Sequence, residues 1–462
     1  MEHQDVIVVG AGISGISAAV HLARSFPQKK ITMLERRNNV GGTWDLFKYP
    51  GIRSDSDMHT LGFSFKPWIA EKSIADGPSI MQYLNETVEE YGLEEKIRFS
   101  HRVVAANWSS ANALWLLTVD VNGFKKQISC NFLFMCSGYY SYEEPHDAQI
   151  PGIESFKGVL VHPQFWPESL DYRGKRAVVI GSGATAVTIV PSMAKDGAKV
   201  TMLQRSPTYM VAMPDTDPIA NLLRSILPDT WAYALTRFKN IRLQDFFYKR
   251  ARKAPEKVRA QLMRFVKRML PEDYDVEKHF TPSYNPWDQR LCLVPNSDLF
   301  KAIKNGSVEV VTDEIDTVTG DGLQLKSGMK LPADILVTAT GLKLSVLADV
   351  PFTVDGQAID FSSAFTYRGM MYSEVPNLVS TFGYINASWT LRADLIATWV
   401  CRLLNHMRTT GMTMATPRIA DELADSMSQR FWIDDFSAGY MRRVMHRFPK
   451  QGDQMPWMNP QN

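Results

Sequence analysis

Two kinds of apolar pattern alternate along this 462-residue chain. The first is a short run that is apolar throughout and closes on glycine. Val6-Ile7-Val8-Val9 before Gly10, Phe132 to Cys136 before Gly138, Ala177-Val178-Val179-Ile180 before Gly181, and Ile335-Leu336-Val337 before Gly341 are of this kind. Such runs predict strands buried on both faces, as in a parallel sheet covered by helices. The second kind repeats at helical spacing, as in Ala18, Ala19, Leu22 and Ala23, in Leu222, Leu223 and Ile226, in Leu262, Phe265, Val266 and Leu270, and across Ala393 to His406. Asn122-Gly123 sits between Leu117-Thr118-Val119 and Ile128, which predicts a hairpin inside a β-meander over residues 101–136.

The strand–glycine–helix order occurs twice, and each copy carries a glycine fingerprint. In the first, Gly10-Ala11-Gly12-Ile13-Ser14-Gly15 leads into a helix, then into the strand Ile31-Thr32-Met33-Leu34, which ends at Glu35. Gly10 permits the turn, Gly12 lets backbone approach a pyrophosphate, Gly15 lets helix and strand pack closely, and Glu35 can accept hydrogen bonds from ribose hydroxyls. In the second, Gly181-Ser182-Gly183-Ala184-Thr185-Ala186 follows a strand, and the next strand, Val200-Thr201-Met202-Leu203, ends in Gln204-Arg205-Ser206. No carboxylate stands there. Arg205 occupies the place where a ribose 2′-phosphate requires a cation, which points to NADP(H) rather than NAD(H).

Length and charge narrow the remaining choices. A chain this long divides into two or three domains. The expected fold class is α/β, with two Rossmann-like dinucleotide-binding domains and a helical insertion. The expected boundaries are 1–150 for the first part of the FAD domain, 151–211 for the first part of the NADPH domain, and 212–289 for the insertion. The NADPH domain resumes over 290–341, and 342–462 completes the FAD domain and the substrate face. Lys plus Arg is 51 against 49 Asp plus Glu, so nothing global draws the chain to nucleic acid. The insertion is basic and rich in aromatics; such a face is ordinarily a solvated one, with peripheral membrane contact left open. No apolar run is long enough to span a bilayer. Cys130, Cys136, Cys292 and Cys401 form neither a disulfide framework nor a CxxC pair, and a reducing cytoplasm is the expected setting. No metal site is expected.

Two dinucleotide sites in one chain imply hydride transfer from NADPH to a bound FAD. A disulfide reductase would hand the electrons to a nearby cysteine pair, which Cys130 and Cys136, separated by five intervening residues, do not supply. The competing class hands them to O2, forming a flavin hydroperoxide that oxygenates a substrate.

Between the fingerprints lies Phe156-Lys157-Gly158-Val159-Leu160-Val161-His162-Pro163-Gln164-Phe165-Trp166-Pro167. It resembles the fingerprint of the type I Baeyer–Villiger monooxygenases, within the flavin-containing monooxygenase superfamily. The run Gly41-Gly42-Thr43-Trp44-Asp45, continuing through Tyr49-Pro50-Gly51-Ile52-Arg53-Ser54-Asp55, resembles the mycobacterial ethionamide-activating group. The resemblance spans essentially the whole chain. It implies FAD- and NADPH-dependent insertion of oxygen into ketones, with sulfur oxidation of thioethers or thioamides alongside. The alternatives are a nitrogen- or sulfur-oxidising flavin monooxygenase without ketone activity and, more remotely, a flavoprotein reductase.

By this resemblance Arg290 is the active-site arginine and Asp55 its partner. A guanidinium is charged at any working pH and suits a developing oxyanion. Nucleotide contacts are implied at Gly10, Gly12, Ser14, Gly15, Glu35, Thr43, Trp44, Asp45, Leu46, Arg53, Ser54, Asp55 and Val103. On the NADPH side they are implied at Gly158, His162, Trp166, Gly181, Ser182, Gly183, Ala184, Thr185, Ala186, Arg205, Ser206 and Gly341. Gln289 stands where many relatives place a lysine that reaches the 2′-phosphate, which throws the NADPH preference onto Arg205 and Ser206. The insertion and aromatics such as Phe365, Trp389 and Trp432 are expected at the substrate face.

Overall fold

The computed structural model describes residues 1–424, 426–434 and 436–461. Two sheets organise the chain. The larger is ordered Gln357–Ala358, Phe352–Val354, His101–Ser109, Leu114–Val121, Phe124–Met135, Glu2–Val9, Ile31–Leu34 and Ile97–Arg98, with Leu378–Ser380 also pairing along Phe124–Met135. Its centre is parallel, with Val6 opposite both Ile31 and Phe132. The expected meander is its antiparallel wing, turned at Asn122-Gly123 where Asp120 caps the Gly123 N–H at 2.8 Å. The first strand begins at Glu2, four residues before the apolar run, where His3 hydrogen-bonds Ser129 and Asn131 on its neighbour.

The second sheet is wholly parallel, ordered Val308–Thr312, Lys199–Gln204, Arg176–Ile180, Ile335–Thr338 and Val159–Val161. Covered on both faces, its strands need no polar alternation, and Val179, Met202, Leu336 and Val337 are fully buried. Both fingerprint turns emerge from the carboxyl ends of central strands, where parallel sheets bind ligands.

Residues 212–289 contain the helices Pro218–Ile226, Asp229–Lys253, Pro255–Met269 and Val276–Phe280, the first and third of which carry the apolar spacing read from the sequence. One face of Asp229–Lys253 is anchored to the first unit. Arg237 donates to the carbonyls of Gly62 (2.8 Å) and His59 (3.0 Å), Tyr233 donates to that of Phe63 (2.9 Å), and Asn240 and Gln244 both donate to Asp57 (2.9 Å each). Among the described residues no helix is long and apolar enough to cross a membrane.

Candidate active site

The first fingerprint is built tightly. Gly10 has φ +104°, and a Cβ there would lie 2.5 Å from the Cys136 carbonyl oxygen. A Cβ on Gly15 would lie 1.9 Å from the Gly10 oxygen, so the helix Ile13–Ser25 sits against its own strand with no room for a side chain. The pair Gly41-Gly42 closes over the turn, bridging backbone to backbone at Gly12. The glycines of that pair answer to this approach and to Met81, which packs where a Gly41 side chain would be. Glu35 is buried, with one carboxylate oxygen accepting the Ala11 N–H at 2.7 Å and the other the Arg37 N–H at 2.8 Å. Ser14 accepts from the Trp389 indole N–H at 2.7 Å. Val103 is buried on a strand that reaches Glu35 through the His101 N–H.

The 41–55 segment runs from this turn to the second unit. Thr43 accepts from the Tyr140 hydroxyl at 2.7 Å, and Trp44 packs on the first core. Buried Asp45 holds Arg37 through Nη2 at 2.6 Å, and Leu46 ends the short helix Thr43–Leu46. Tyr49 bonds Thr185 of the second fingerprint, and burial pushes its phenol up to about 12, leaving it a permanent donor. Arg53 reaches Asp298 at 2.5 Å, and the Ser54 hydroxyl accepts the Ala75 N–H at 3.2 Å. The Arg53 and Ser54 side chains are therefore engaged within the protein, joining the units and fixing the turn.

At the second fingerprint the surroundings are open. Ser182 hydrogen-bonds Thr208 (2.9 Å) and the Ser206 carbonyl (3.1 Å), while Gly183 and Ala184 are exposed and Ala186 is buried beneath them. Nothing lies within 4 Å of where a Gly183 side chain would be. Neither fingerprint helix has a side-chain cap or an acidic residue in its first turn, unlike the helices Gly77–Glu90 and Pro218–Ile226, capped by Asp76 and Asp217. Free N–H groups and absent carboxylates suit a pyrophosphate at both places. Gln204 is buried, its amide held by the His279 carbonyl and Thr312, whereas Arg205 and Ser206 are exposed at the strand end.

The tether packs as part of the second unit rather than as a free linker. Val159–Val161 is its edge strand, Gly158 backs onto the Asp334 carbonyl, and Trp166 is buried in its core against Tyr172. His162 accepts the Gln164 N–H at 3.2 Å, and the Gln164 amide donates to the Ser141 carbonyl at 2.8 Å. Burial lowers the His162 pKa, against a partial rise from the Gly341 backbone.

Arg290 and Asp55 meet where the units adjoin. Arg290 Nη2 is 3.1 Å from Asp55 Oδ2, and the side chains are 39% and 42% accessible, so the pair is open to solvent. The Asp55 carboxylate raises the arginine pKa, against partial burial. Tyr139 and Tyr440 flank the pair, their phenols held protonated chiefly by burial. Tyr139 stacks on Trp389 at 5.2 Å and 22°. The Arg290 loop is clamped from two sides. Ser437 donates twice to the Asp288 carbonyl (2.7 and 2.9 Å), and Arg252 of the insertion pairs with the Asp288 carboxylate (2.8 Å). Trp432 is buried against Phe382 and Phe448, and Phe382 in turn packs on Tyr139, while Phe365 bridges Lys450.

Tyr49, Tyr139, Tyr440 and Arg443 enter the site without having been singled out by sequence. Arg443 Nη2 lies 3.9 Å from where a Gly341 side chain would be, close enough to Arg205 to feel its charge. Partial burial and then the Arg205 charge lower its pKa, as expected for two facing cations. Among the described residues neither arginine has an ion-pair partner within 4 Å. All four cysteines are free and buried, and burial pushes the Cys136 thiol up to about 12, so no redox pair is available.

Two glycine-built units of the dinucleotide-binding kind meet at a charged pair, and comparison with known proteins identifies the class as FAD-containing monooxygenases. The pyridine nucleotide-disulphide oxidoreductase model matches residues 7–253. The chain is 51% identical to the FAD-containing monooxygenase EthA of Mycobacterium tuberculosis, over 100% of this chain and 94% of that protein. It is 48% identical to the probable FAD-binding monooxygenase AlmA of Acinetobacter baylyi, over 99% and 91% respectively. The structure of an oxidised steroid monooxygenase bound to NADP superposes with a TM-score of 0.77 at 21% identity, covering 92% of this chain and 89% of that one. The chain belongs to the EthA-like flavin monooxygenases of the pyridine nucleotide-disulphide oxidoreductase family. FAD and NADP(H) are its cofactors.

Proposed function

We propose that the chain catalyses a Baeyer–Villiger oxidation: ketone, O2, NADPH and a proton give ester or lactone, NADP+ and water. We further propose that it oxidises sulfur in thioethers or thioamides. The observation that carries this reading is the Arg290–Asp55 pair, accessible at the junction of two nucleotide units and flanked by aromatic side chains.

The residues divide the work. Residues 1–150 and 342–462 supply the strands of the FAD unit, and 151–211 with 290–341 those of the NADPH unit. Glu35 keeps lone pairs for ribose hydroxyls while anchoring the Ala11 N–H. Arg205 and Ser206 receive the 2′-phosphate, with Arg443 supplying the cation that Gln289 lacks. FAD held at the first glycine turn and Glu35 would supply the redox chemistry, acceptance of hydride from NADPH and activation of O2. Arg290 then faces negative charge that develops on oxygen as the ketone carbon becomes tetrahedral. A fixed guanidinium stabilises that charge without reorganising at the moment of reaction. Asp55 keeps the guanidinium aimed across the cleft and tempers its charge in the resting state. Tyr139 and Tyr440, protonated at any working pH, exclude water on either side. His162 and Trp166 position the NADPH unit against the flavin.

Product analysis tests the reading. The purified enzyme with FAD, NADPH, a simple ketone and a thioether is expected to yield ester and sulfoxide. Sulfoxide without ester would replace it with heteroatom oxygenation. NADPH consumption with no oxygenated product from either would remove both.

A further inference from the structure

The insertion carries an unpartnered face. The helix Asp229–Lys253 turns Tyr233, Arg237, Asn240 and Gln244 toward the protein. Trp231, Leu235, Phe238, Arg242, Phe246 and Lys249 recur at steps of three and four residues on the opposite side. Trp231 is 67% exposed, Phe238 60% and Phe246 57%. The neighbouring helix Pro218–Ile226 repeats the arrangement, with Ile219, Leu222 and Ile226 all exposed and only Ala220 buried. Lys239 fastens it alongside through Asp217 at 2.7 Å. A solvated helix face does not concentrate large apolar side chains in this way.

The charge of the same region is equally one-sided. From Arg224 to Arg268 there are thirteen Lys and Arg against three Asp and Glu, so the remainder of a chain of net charge +2 is acidic. Cations stand within the apolar stripe: the Arg242 guanidinium lies 5.3 Å from the Phe238 ring centre. Aromatic and aliphatic side chains framed by Lys and Arg match a bilayer interface, where the apolar groups enter the acyl boundary and the cations meet lipid phosphates. A protein partner would leave the acidic remainder of the chain no role in orientation, whereas an anionic bilayer attracts this pole and repels the rest. We propose that these two helices dock the enzyme on an anionic lipid surface, lying in its plane without crossing it. The proposal is independent of whether the substrate is a ketone or a thioether.

Flotation of the FAD-loaded enzyme with lipid vesicles tests it. Vesicles of phosphatidylcholine mixed with phosphatidylglycerol are expected to carry the enzyme up the gradient, and pure phosphatidylcholine and high salt to release it. The double variants Phe238→Ser/Phe246→Ser and Arg242→Glu/Lys249→Glu should each lower partitioning by about tenfold or more. Both should retain bound flavin and its bleaching by NADPH, which shows that they fold. Absence of flotation, equal flotation with pure phosphatidylcholine, or unchanged flotation of both variants overturns the proposal. So does a lipid-free dimer that Phe238→Ser/Phe246→Ser dissociates, since a second copy would then cover the stripe.

Discussion

The two fingerprint turns share a local plan and differ in everything around it. The first is sealed: Gly41-Gly42 bridges onto Gly12, Gly15 touches the Gly10 carbonyl, and the acid that ends the next strand is buried on the turn's own N–H. The second is open: Gly183 and Ala184 are exposed, and the strand ends in exposed Arg205 and Ser206. A sealed turn suits a cofactor that stays through many turnovers. An open one, held by charge at its rim, suits a cofactor that must arrive, deliver hydride and leave. On the proposed reading, the same strand–turn–helix serves a resident and an exchanging nucleotide according to what packs over it.

The sharpest break in that comparison is the third small residue of each turn. Gly15→Ala forces a Cβ into the Gly10 carbonyl, for which we expect destabilisation on the order of 4 kcal/mol and loss of most bound flavin. Absorbance of the purified protein and denaturant unfolding read both, and full flavin occupancy would show that the turn is not sealed. At the rim of the open turn, Arg205→Ala removes a charge-assisted phosphate contact of about 2 kcal/mol. That should raise KM for NADPH roughly thirtyfold while leaving KM for NADH nearly unchanged. Arg443→Ala should act in the same direction by about tenfold or less, since its guanidinium is more loosely held. Equal effects on NADPH and NADH would mean that neither arginine meets the 2′-phosphate. Glu35→Gln keeps one carbonyl acceptor but not two, so we expect FAD release to quicken by about tenfold with NADPH affinity intact. The mildest change is Ala186→Gly, expected to cost about 1 kcal/mol of helix stability and to leave NADP+ binding within about twofold. A large loss of NADP+ there would mean the open turn is as tightly built as the sealed one.

Much of this architecture was legible because its signals are local. Apolar runs ending in glycine mark the central strands of both sheets, and Gln204-Arg205-Ser206 shows within three residues that the second site lacks an acid. The insertion was legible as helices by the same means. What those helices face was not, because periodicity reports a repeating apolar side without saying whether anything covers it. Leu222 and Ile226, whose spacing marks the first of these helices, are both exposed. The 41–55 segment was singled out by its resemblance to a known family, yet much of its composition answers to contacts far away in sequence. Gly41 makes room for Met81, Arg53 pairs with Asp298, and Tyr49 bonds Thr185. Tyr440 and Arg443 come from the far end of the chain, where neither spacing nor composition distinguishes them from other surface residues. The tether looked central from its position between the fingerprints. In space the 41–55 segment does more of the joining, and the tether is an edge of the second unit. Arg290 would have passed for one more cation of the basic insertion without the resemblance that singled it out, and its 3.1 Å approach to Asp55 is a contact across 235 positions.

That contact carries the central claim, and stopped-flow mixing of Arg290→Ala addresses it most directly. The variant is reduced anaerobically with NADPH, then mixed with O2 and ketone. Flavin bleaching at the rate of the unmodified enzyme, followed by ester formation lowered by about a hundredfold or more, is the predicted result. Ester formed at an undiminished rate would contradict the account, because the charge at Arg290 would then have no part in oxygen insertion.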